Sequence, residues 1–283
     1  MNNVFSDTLA ALIEAGIENP RMETRIMLAE ILKCTPSEIA SDCRLTEPQE
    51  QTLKNMINLR IKHCPLDKIV GHREFYKYDF ITSSDVLSPR PDTEILVEEA
   101  CRIIKTQKIT DILDLGVGSG CIIGSLLADF PHLYGVGADI SAAALKIAEQ
   151  NLINLGINGR CRLLEADYCA ENFISLVNKK FDMIVGNPPY IPSAEIETLA
   201  TEVKKYDPGI ALDGGTDGLK YYRKIADIAP FLLNKNGYIL LEIGKNQEND
   251  VENIFSVNNF ALCKTVPDLS GINRCLILQK TVA

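Results

Sequence analysis

The chain predicts an α/β protein, a mostly parallel β-sheet covered by helices on both faces, preceded by a small helical domain. Three observations carry this expectation. From about residue 109, apolar β-branched runs alternate with segments of helical periodicity, the signature of repeated βα units. Polar residues recur where those runs end: Asp114, Asp139, Asp167 and Asn187. Residues up to about 63, by contrast, show repeated helix-start signals.

In chain order, Ser6 is expected to cap a helix carrying Leu9, Leu12 and Ile13 and ending at Gly16. Asn19-Pro20 opens a second helix with Met22, Ile26, Met27, Leu28, Ile31 and Leu32 at helical spacing. Thr35-Pro36-Ser37-Glu38 and Thr46-Glu47-Pro48-Gln49 both fit the capping-box pattern. Arg73 to Tyr76 and Phe80 to Thr82 alternate like a short hairpin between domains. Ser88-Pro89-Arg90-Pro91-Asp92-Thr93-Glu94 reads as a rigid, exposed turn leading into a helix through Leu96, Val97 and Ala100.

Strands are then expected at 109–115, 134–138, 160–165, 181–185 and 237–243, with helices at 121–128, 142–154 and 221–233. Two final strands at 259–264 and 274–279, in a hairpin-like relation, suggest one antiparallel strand at the sheet edge. Ile191 to Gly218 is long for a βα connection and is expected to shape a channel to a site. Its charges Glu202 and Asp207 read as solvated loop residues.

Composition bounds the function. The net charge of -9 disfavours an extended nucleic-acid footprint. The 9 cysteines are scattered, with no C-x-x-C pair, which fits a reducing cytoplasm better than a disulfide scaffold or a zinc ribbon. The 3 histidines, His63, His72 and His132, form no metal-ligand pattern, so no metal is expected. The N-terminus from Met1 to Asp7 lacks the basic and apolar regions of a signal peptide, and no apolar run is long enough to span a membrane.

The most informative stretch is Phe181-Asp182-Met183-Ile184-Val185-Gly186-Asn187-Pro188-Pro189-Tyr190. A buried strand ends at Gly186, and two prolines with fixed φ then carry the chain away in a pre-set shape. That shape aims the Asn187 amide, the Asn187 and Pro188 carbonyls and the Tyr190 ring. The arrangement suits a planar nitrogen bearing hydrogens: the Asn187 oxygen and a backbone carbonyl accept its N–H groups, and the aromatic face stacks on it.

The loop Gly116-Val117-Gly118-Ser119-Gly120 lets backbone approach a ligand closely. A dinucleotide fingerprint would place a third glycine at 121, which is Cys121. A nucleoside without a pyrophosphate fits better, and S-adenosylmethionine is such a ligand. Asp114 would lie near its amino group, Asp139 would take the ribose hydroxyls, and Asp167 would accept from the adenine amine between Ile140 and Tyr168.

Asp114 to Gly120 together with Asn187-Pro188-Pro189-Tyr190 resembles the amino-methyltransferases of the seven-stranded Rossmann-like class I. Pro65 to Tyr76, Ser88 to Glu94, Tyr206-Asp207-Pro208, Ala211 to Leu219 and Leu241-Glu242-Ile243-Gly244 narrow the resemblance to the bacterial release factor glutamine methyltransferases, the PrmC or HemK family. Val117 stands where that family often has Thr.

The resemblance covers nearly the whole chain. It implies a helical release-factor-binding domain at 1–72, a hairpin linker at 73–90 and a methyltransferase domain at 91–283. It implies methyl transfer to the side-chain nitrogen of the glutamine in the Gly-Gly-Gln motif of class 1 peptide release factors. Asn187, Pro188 and Tyr190 would be catalytic and, with Pro189, would bind the substrate. The enzyme would be a cytoplasmic monomer. Two other readings are an adenine-N6 DNA methyltransferase, which shares the tetrapeptide but fits poorly with the negative charge, and a non-catalytic S-adenosylmethionine-binding scaffold.

Overall fold

The structure, a computed structural model, describes residues 3–281. Met1 and Asn2, part of the N-terminal reading above, lie outside the described residues. The described residues form two compact units: 3–72 together with Ala200–Tyr206, and Arg73–Leu199 together with 207–281. Among the described residues no helix is long and apolar enough to cross a membrane.

The first unit contains α1 (Val4–Glu14), α2 (Pro20–Leu32), α3 (Glu47–Arg60) and α4 (Leu66–Val70). Asn3, not Ser6, caps α1: its Oδ1 accepts the Ser6 N–H at 3.1 Å. The helix starts that early because Phe5 is buried in the helical core with Leu12, Met27, Leu28 and Leu53. The Thr46–Gln49 capping box forms, and Gln49 Oε1 accepts the Thr46 N–H at 2.9 Å. Arg60 is buried and forks onto both oxygens of Glu23, while its Nη1 bonds Glu202 Oε1 at 2.7 Å. Glu202 is therefore an ion-pair partner, not a free loop charge.

The second unit, from Arg73, opens within β1 (His72–Phe75), which pairs with β2 (Tyr78–Ile81) in a two-stranded sheet, and continues to α5 (Pro91–Thr106). The alternation that follows is β3 (Asp111–Leu115), α6 (Cys121–Asp129), β4 (Tyr134–Asp139), α7 (Ala142–Asn154), β5 (Cys161–Glu165), α8 (Phe173–Val177) and β6 (Phe181–Gly186). The remainder is α9 (Thr201–Tyr206), which belongs to the first unit, then α10 (Lys220–Leu232), β7 (Leu233–Glu242), α11 (Glu248–Ser256), β8 (Phe260–Pro267) and β9 (Asn273–Lys280). Helix α11 goes beyond the sequence reading, although Val251 and Phe255 are buried at a spacing of one turn.

The large sheet has seven strands in the order β5-β4-β3-β6-β7-β9-β8, with β9 antiparallel to both neighbours. The antiparallel strand is thus interior and β8 holds the edge, a correction to the expected edge position. Burial explains the exchange. Cys275, Leu276, Ile277 and Leu278 of β9 are all buried and need cover on two faces, whereas β8 carries exposed Lys264.

The strand period of two sorts side chains into two cores. Leu113, Leu115, Ile184, Ile239, Leu241 and Leu276 face α8, α10 and α11. Ile112, Met183, Val185, Leu240 and Ile277 face α5, α6, α7 and the two hairpin phenylalanines Phe75 and Phe80. The sheet is therefore apolar on both faces, and polar side chains find room at the carboxyl ends of its strands.

The tip of β6 is sterically tight. A Cβ on Gly186 would lie 2.9 Å from the Leu115 carbonyl oxygen of β3, a backbone atom that cannot yield. Gly186→Ala should therefore destabilise the protein by about 1–3 kcal/mol, as overpacking does. Urea unfolding measures this, and an unchanged midpoint would contradict the packing account.

Candidate functional site

The carboxyl ends of β3, β4 and β6 open onto a cavity of about 440 Å3, within the range of small-molecule sites. The turn after β3 forms one wall. Gly116, Gly118 and Gly120 have φ values of +76°, +52° and +78°, a region that strains residues with a Cβ. A side chain on Gly120 would also meet Ala148 Cβ at 3.3 Å, so the loop stays flush with α7.

Asp139, at the end of β4, secures this loop. Its Oδ2 accepts the Gly118 N–H and its Oδ1 the Ser141 N–H, both at 2.9 Å. Each oxygen keeps a lone pair for a ligand hydroxyl. Asp167 likewise accepts the Cys169 N–H at 2.7 Å and lines the cavity beside Tyr168, Ile140 and Val117. The Tyr168 ring packs edge-on to Tyr221 and Phe173, and its hydroxyl is buried without a protein partner. These groups fit a nucleoside: a backbone cradle, a carboxylate for a diol and aromatic and apolar faces.

Not every sequence-predicted residue reaches the cavity. Gly116, Val117, Gly118, Ser119, Asp139, Ile140, Asp167, Tyr168, Asn187 and Pro189 line it; Asp114, Gly120, Pro188 and Tyr190 do not. Asp114 is fully buried under α6, where its Oδ2 accepts the Ile123 N–H at 3.3 Å and its Oδ1 has no partner. It occupies the α6 face of the sheet because it alternates with Leu113 and Leu115 on the other face. Burial pushes its carboxyl up to about 7.

The turn at Ser88 to Arg90, expected to be exposed, instead has Ser88 and Pro89 buried in the cavity wall. Arg90 Nη2 bonds Asp207 Oδ2 at 2.7 Å, and Asp207 is buried. The solvated reading of Asp207 fails because its partner lies far away in the sequence.

Around Asn187 a polar chain forms that the sequence reading missed. Asn187 Nδ2 donates to Thr93 Oγ1 at 3.2 Å, and Thr93 Oγ1 donates to Glu242 Oε2. Tyr190 Oη donates to Glu242 Oε1 at 3.2 Å, while Tyr222 Oη donates to the Glu242 carbonyl at 2.9 Å. Burial pushes the Glu242 carboxyl up to about 7 against the pull of these donors. Burial, then the charge of Glu242, raises the Tyr190 hydroxyl as well, so it stays a donor.

Gln247 completes the brace: its Oε1 accepts the Gly244 N–H at 2.9 Å and its Nε2 donates to the Tyr190 carbonyl at 3.0 Å. Gly214 and Gly218 pack directly against the carbonyls of Pro189 and Tyr190, where neither position has room for a Cβ. The only sequence signal for these roles was membership of Thr93, Glu242, Gly214 and Gly218 in the recognised motifs.

A seven-stranded sheet of this order, with a glycine loop after its first strand and Asn-Pro-Pro-Tyr after its fourth, defines a class I methyltransferase. The "Methyltransferase small domain" family matches residues 80–203, and the "PrmC N-terminal domain" family matches residues 4–71. A release factor glutamine methyltransferase of Rhodospirillum rubrum is 40% identical over 95% of this chain and 82% of its own length. One of Geobacter sulfurreducens is 38% identical over 97% of this chain and 94% of its own length. The fold matches a crystal structure of ribosomal protein L11 methylase from Lactobacillus delbrueckii (TM-score 0.50, 17% identity, 68% of this chain and 81% of that one). The chain belongs to the release factor glutamine methyltransferase family.

The raised Glu242 carboxyl sets a sign for stability against pH. Between about 4.5, its ordinary value, and about 7 the folded state binds more protons than the unfolded one, so this group's contribution falls as pH rises through that window. Glu242→Gln removes the effect. The stability of the variant relative to wild type should therefore rise by on the order of 2 kcal/mol between pH 5 and pH 8, measured by urea unfolding. A difference independent of pH would contradict it.

Proposed function

We propose that this chain transfers a methyl group from S-adenosylmethionine to the side-chain nitrogen of the glutamine in the Gly-Gly-Gln motif of class 1 peptide release factors. The observation that carries the reading is Asn187 at the cavity wall with its amide nitrogen committed to Thr93, which leaves Oδ1 to accept a substrate N–H. The names and full-length similarity of the relatives support the same substrate.

When bound, S-adenosylmethionine supplies a methyl group already activated by its sulfonium, which the glutamine nitrogen takes with loss of one proton. Asp139 holds the ribose hydroxyls, Asp167 accepts from the adenine amine, and Ile140 and Tyr168 cover the ring. The loop from Gly116 to Gly120 supports the cofactor, with Asp114 fixing the start of α6 beneath it. Asn187 Oδ1 accepts one of the two amide hydrogens. This turns the nitrogen lone pair toward the cofactor, and orientation substitutes for a strong base. Pro189 faces the substrate, while Tyr190 holds the segment through Glu242.

The helical unit is proposed to grip the release factor. The division at 1–72, 73–90 and 91–283, a monomeric state, a cytoplasmic location and the lack of a nucleic-acid partner belong to the same reading.

Intact-mass spectrometry of a release factor incubated with this protein and S-adenosylmethionine tests it. A gain of one methyl is expected on the unmutated factor and none on a factor whose Gly-Gly-Gln glutamine is alanine. Methylation of adenine in duplex DNA without modification of the factor would overturn the assignment. Asn187→Ala should lower kcat about a hundredfold or more while leaving the unfolding midpoint near wild type. Retained activity would remove Asn187 from the chemistry.

A further inference from the structure

The hydrogen-bond chain behind Asn187 has a direction. The Thr93 hydroxyl has one hydrogen, and it is given to Glu242 Oε2. Toward Asn187 the hydroxyl can then only accept, so the group that faces it is Nδ2. The other carboxylate oxygen is taken by the Tyr190 hydroxyl. A carboxylate cannot donate, so with Glu242 ionised only one polarity of the chain satisfies its members. Thr93 and Glu242 are both buried, where water cannot compensate a wrongly turned donor.

We propose that Thr93 and Glu242 are positioning residues: the Glu242 carboxylate sets the direction of the Thr93 hydroxyl, and through it presents Asn187 Oδ1, not the amide nitrogen, to the substrate amide. The inference rests on the functional reading above and deepens it. A protonated Glu242 can donate to Thr93. The Thr93 hydrogen is then free to turn to Asn187, and the flipped amide would show two donors where the substrate also has donors.

The surroundings of Glu242 leave it as the group that switches. Asp92 of α5 raises its carboxyl and Arg274 of β9 lowers it. Arg274 is itself shared between Asp92 at 3.3 Å and Asp268 at 3.0 Å. The other titratable groups facing it, Tyr190, Tyr222 of α10, Cys121 at the start of α6 and Cys275 of β9, are all raised by burial and stay neutral near pH 7.

The test compares wild type, Thr93→Val, Thr93→Ser and Glu242→Gln at saturating release factor and S-adenosylmethionine, with kcat followed from pH 5.5 to 8.5 (roughly the span over which a carboxyl near 7 titrates). In parallel, the Asn187 side-chain amide resonances are followed by NMR over the same range without cofactor, assigned by their loss in Asn187→Ala. Thr93→Val should lose tenfold or more in kcat with KM for S-adenosylmethionine within about twofold, and Thr93→Ser should recover most of it. Wild-type kcat should rise with pH in step with a shift of the Asn187 resonances, and both should be flat in Glu242→Gln. A Thr93→Val enzyme with wild-type kcat, or a Glu242→Gln enzyme that keeps the wild-type pH rise, overturns the proposal. If Thr93→Val fails to fold, the Glu242→Gln profile and the resonance titration decide alone. A wild-type protein that leaves the release factor unmethylated overturns the functional reading instead.

Discussion

The contact between Gly186 and the Leu115 carbonyl sets where the rest of the site can stand. Strands β3 and β6 are central, parallel neighbours, and their ends approach so closely that no side chain fits at position 186. The glycine loop leaves β3 and the Asn-Pro-Pro-Tyr segment leaves β6 from these adjacent ends. The glycine loop and the tetrapeptide, the proposed cofactor and substrate cradles, are thereby brought to one cavity by backbone packing, before any polar side chain contributes.

The tetrapeptide is then held from several directions. Its prolines restrict φ, and Gly214 and Gly218 press on its carbonyls. Gln247 takes the Tyr190 carbonyl, and Glu242 takes the Tyr190 hydroxyl. Apart from the prolines, each restraint comes from a segment well after the tetrapeptide in sequence. If the site works by orientation, as proposed, it needs this over-determination, because small errors of aim translate directly into lost rate.

Buried acids serve this scaffold in two ways. Asp114 and Glu242 are both deeply buried and both raised to about 7 by that burial, yet neither lines the cavity. Asp114 anchors the first turn of α6 through the Ile123 N–H, and Glu242 orders the hydroxyls around Asn187. Asp139, partly exposed at the end of β4, pins the glycine loop and keeps acceptor capacity for a ligand. Acidic residues near the strand ends thus divide into those buried behind the cavity and those that line it.

Much of this was legible in the sequence, because hydrophobic periodicity and strand-end chemistry are local. The run from Phe181 to Val185, the helix from Ala142 to Asn154 and the glycine loop all form close to where their residue patterns place them. The two-face burial of β3, β6 and β7 follows from continuous apolar runs. What needed the tertiary structure were pairings between residues distant in the chain. Arg60 with Glu202, Arg90 with Asp207, and Thr93 with Glu242 and Asn187 are invisible to any window of sequence. The exchange of β8 and β9 depended on which strand most needed burial on both faces. The burial of Asp114 away from the cavity depended on which side of a strand its alternation selected. Local residue patterns specify most of the elements and the chemistry available at their ends; packing selects which of those groups face the cavity and which brace it, because burial and distant partners exist only once the chain has folded.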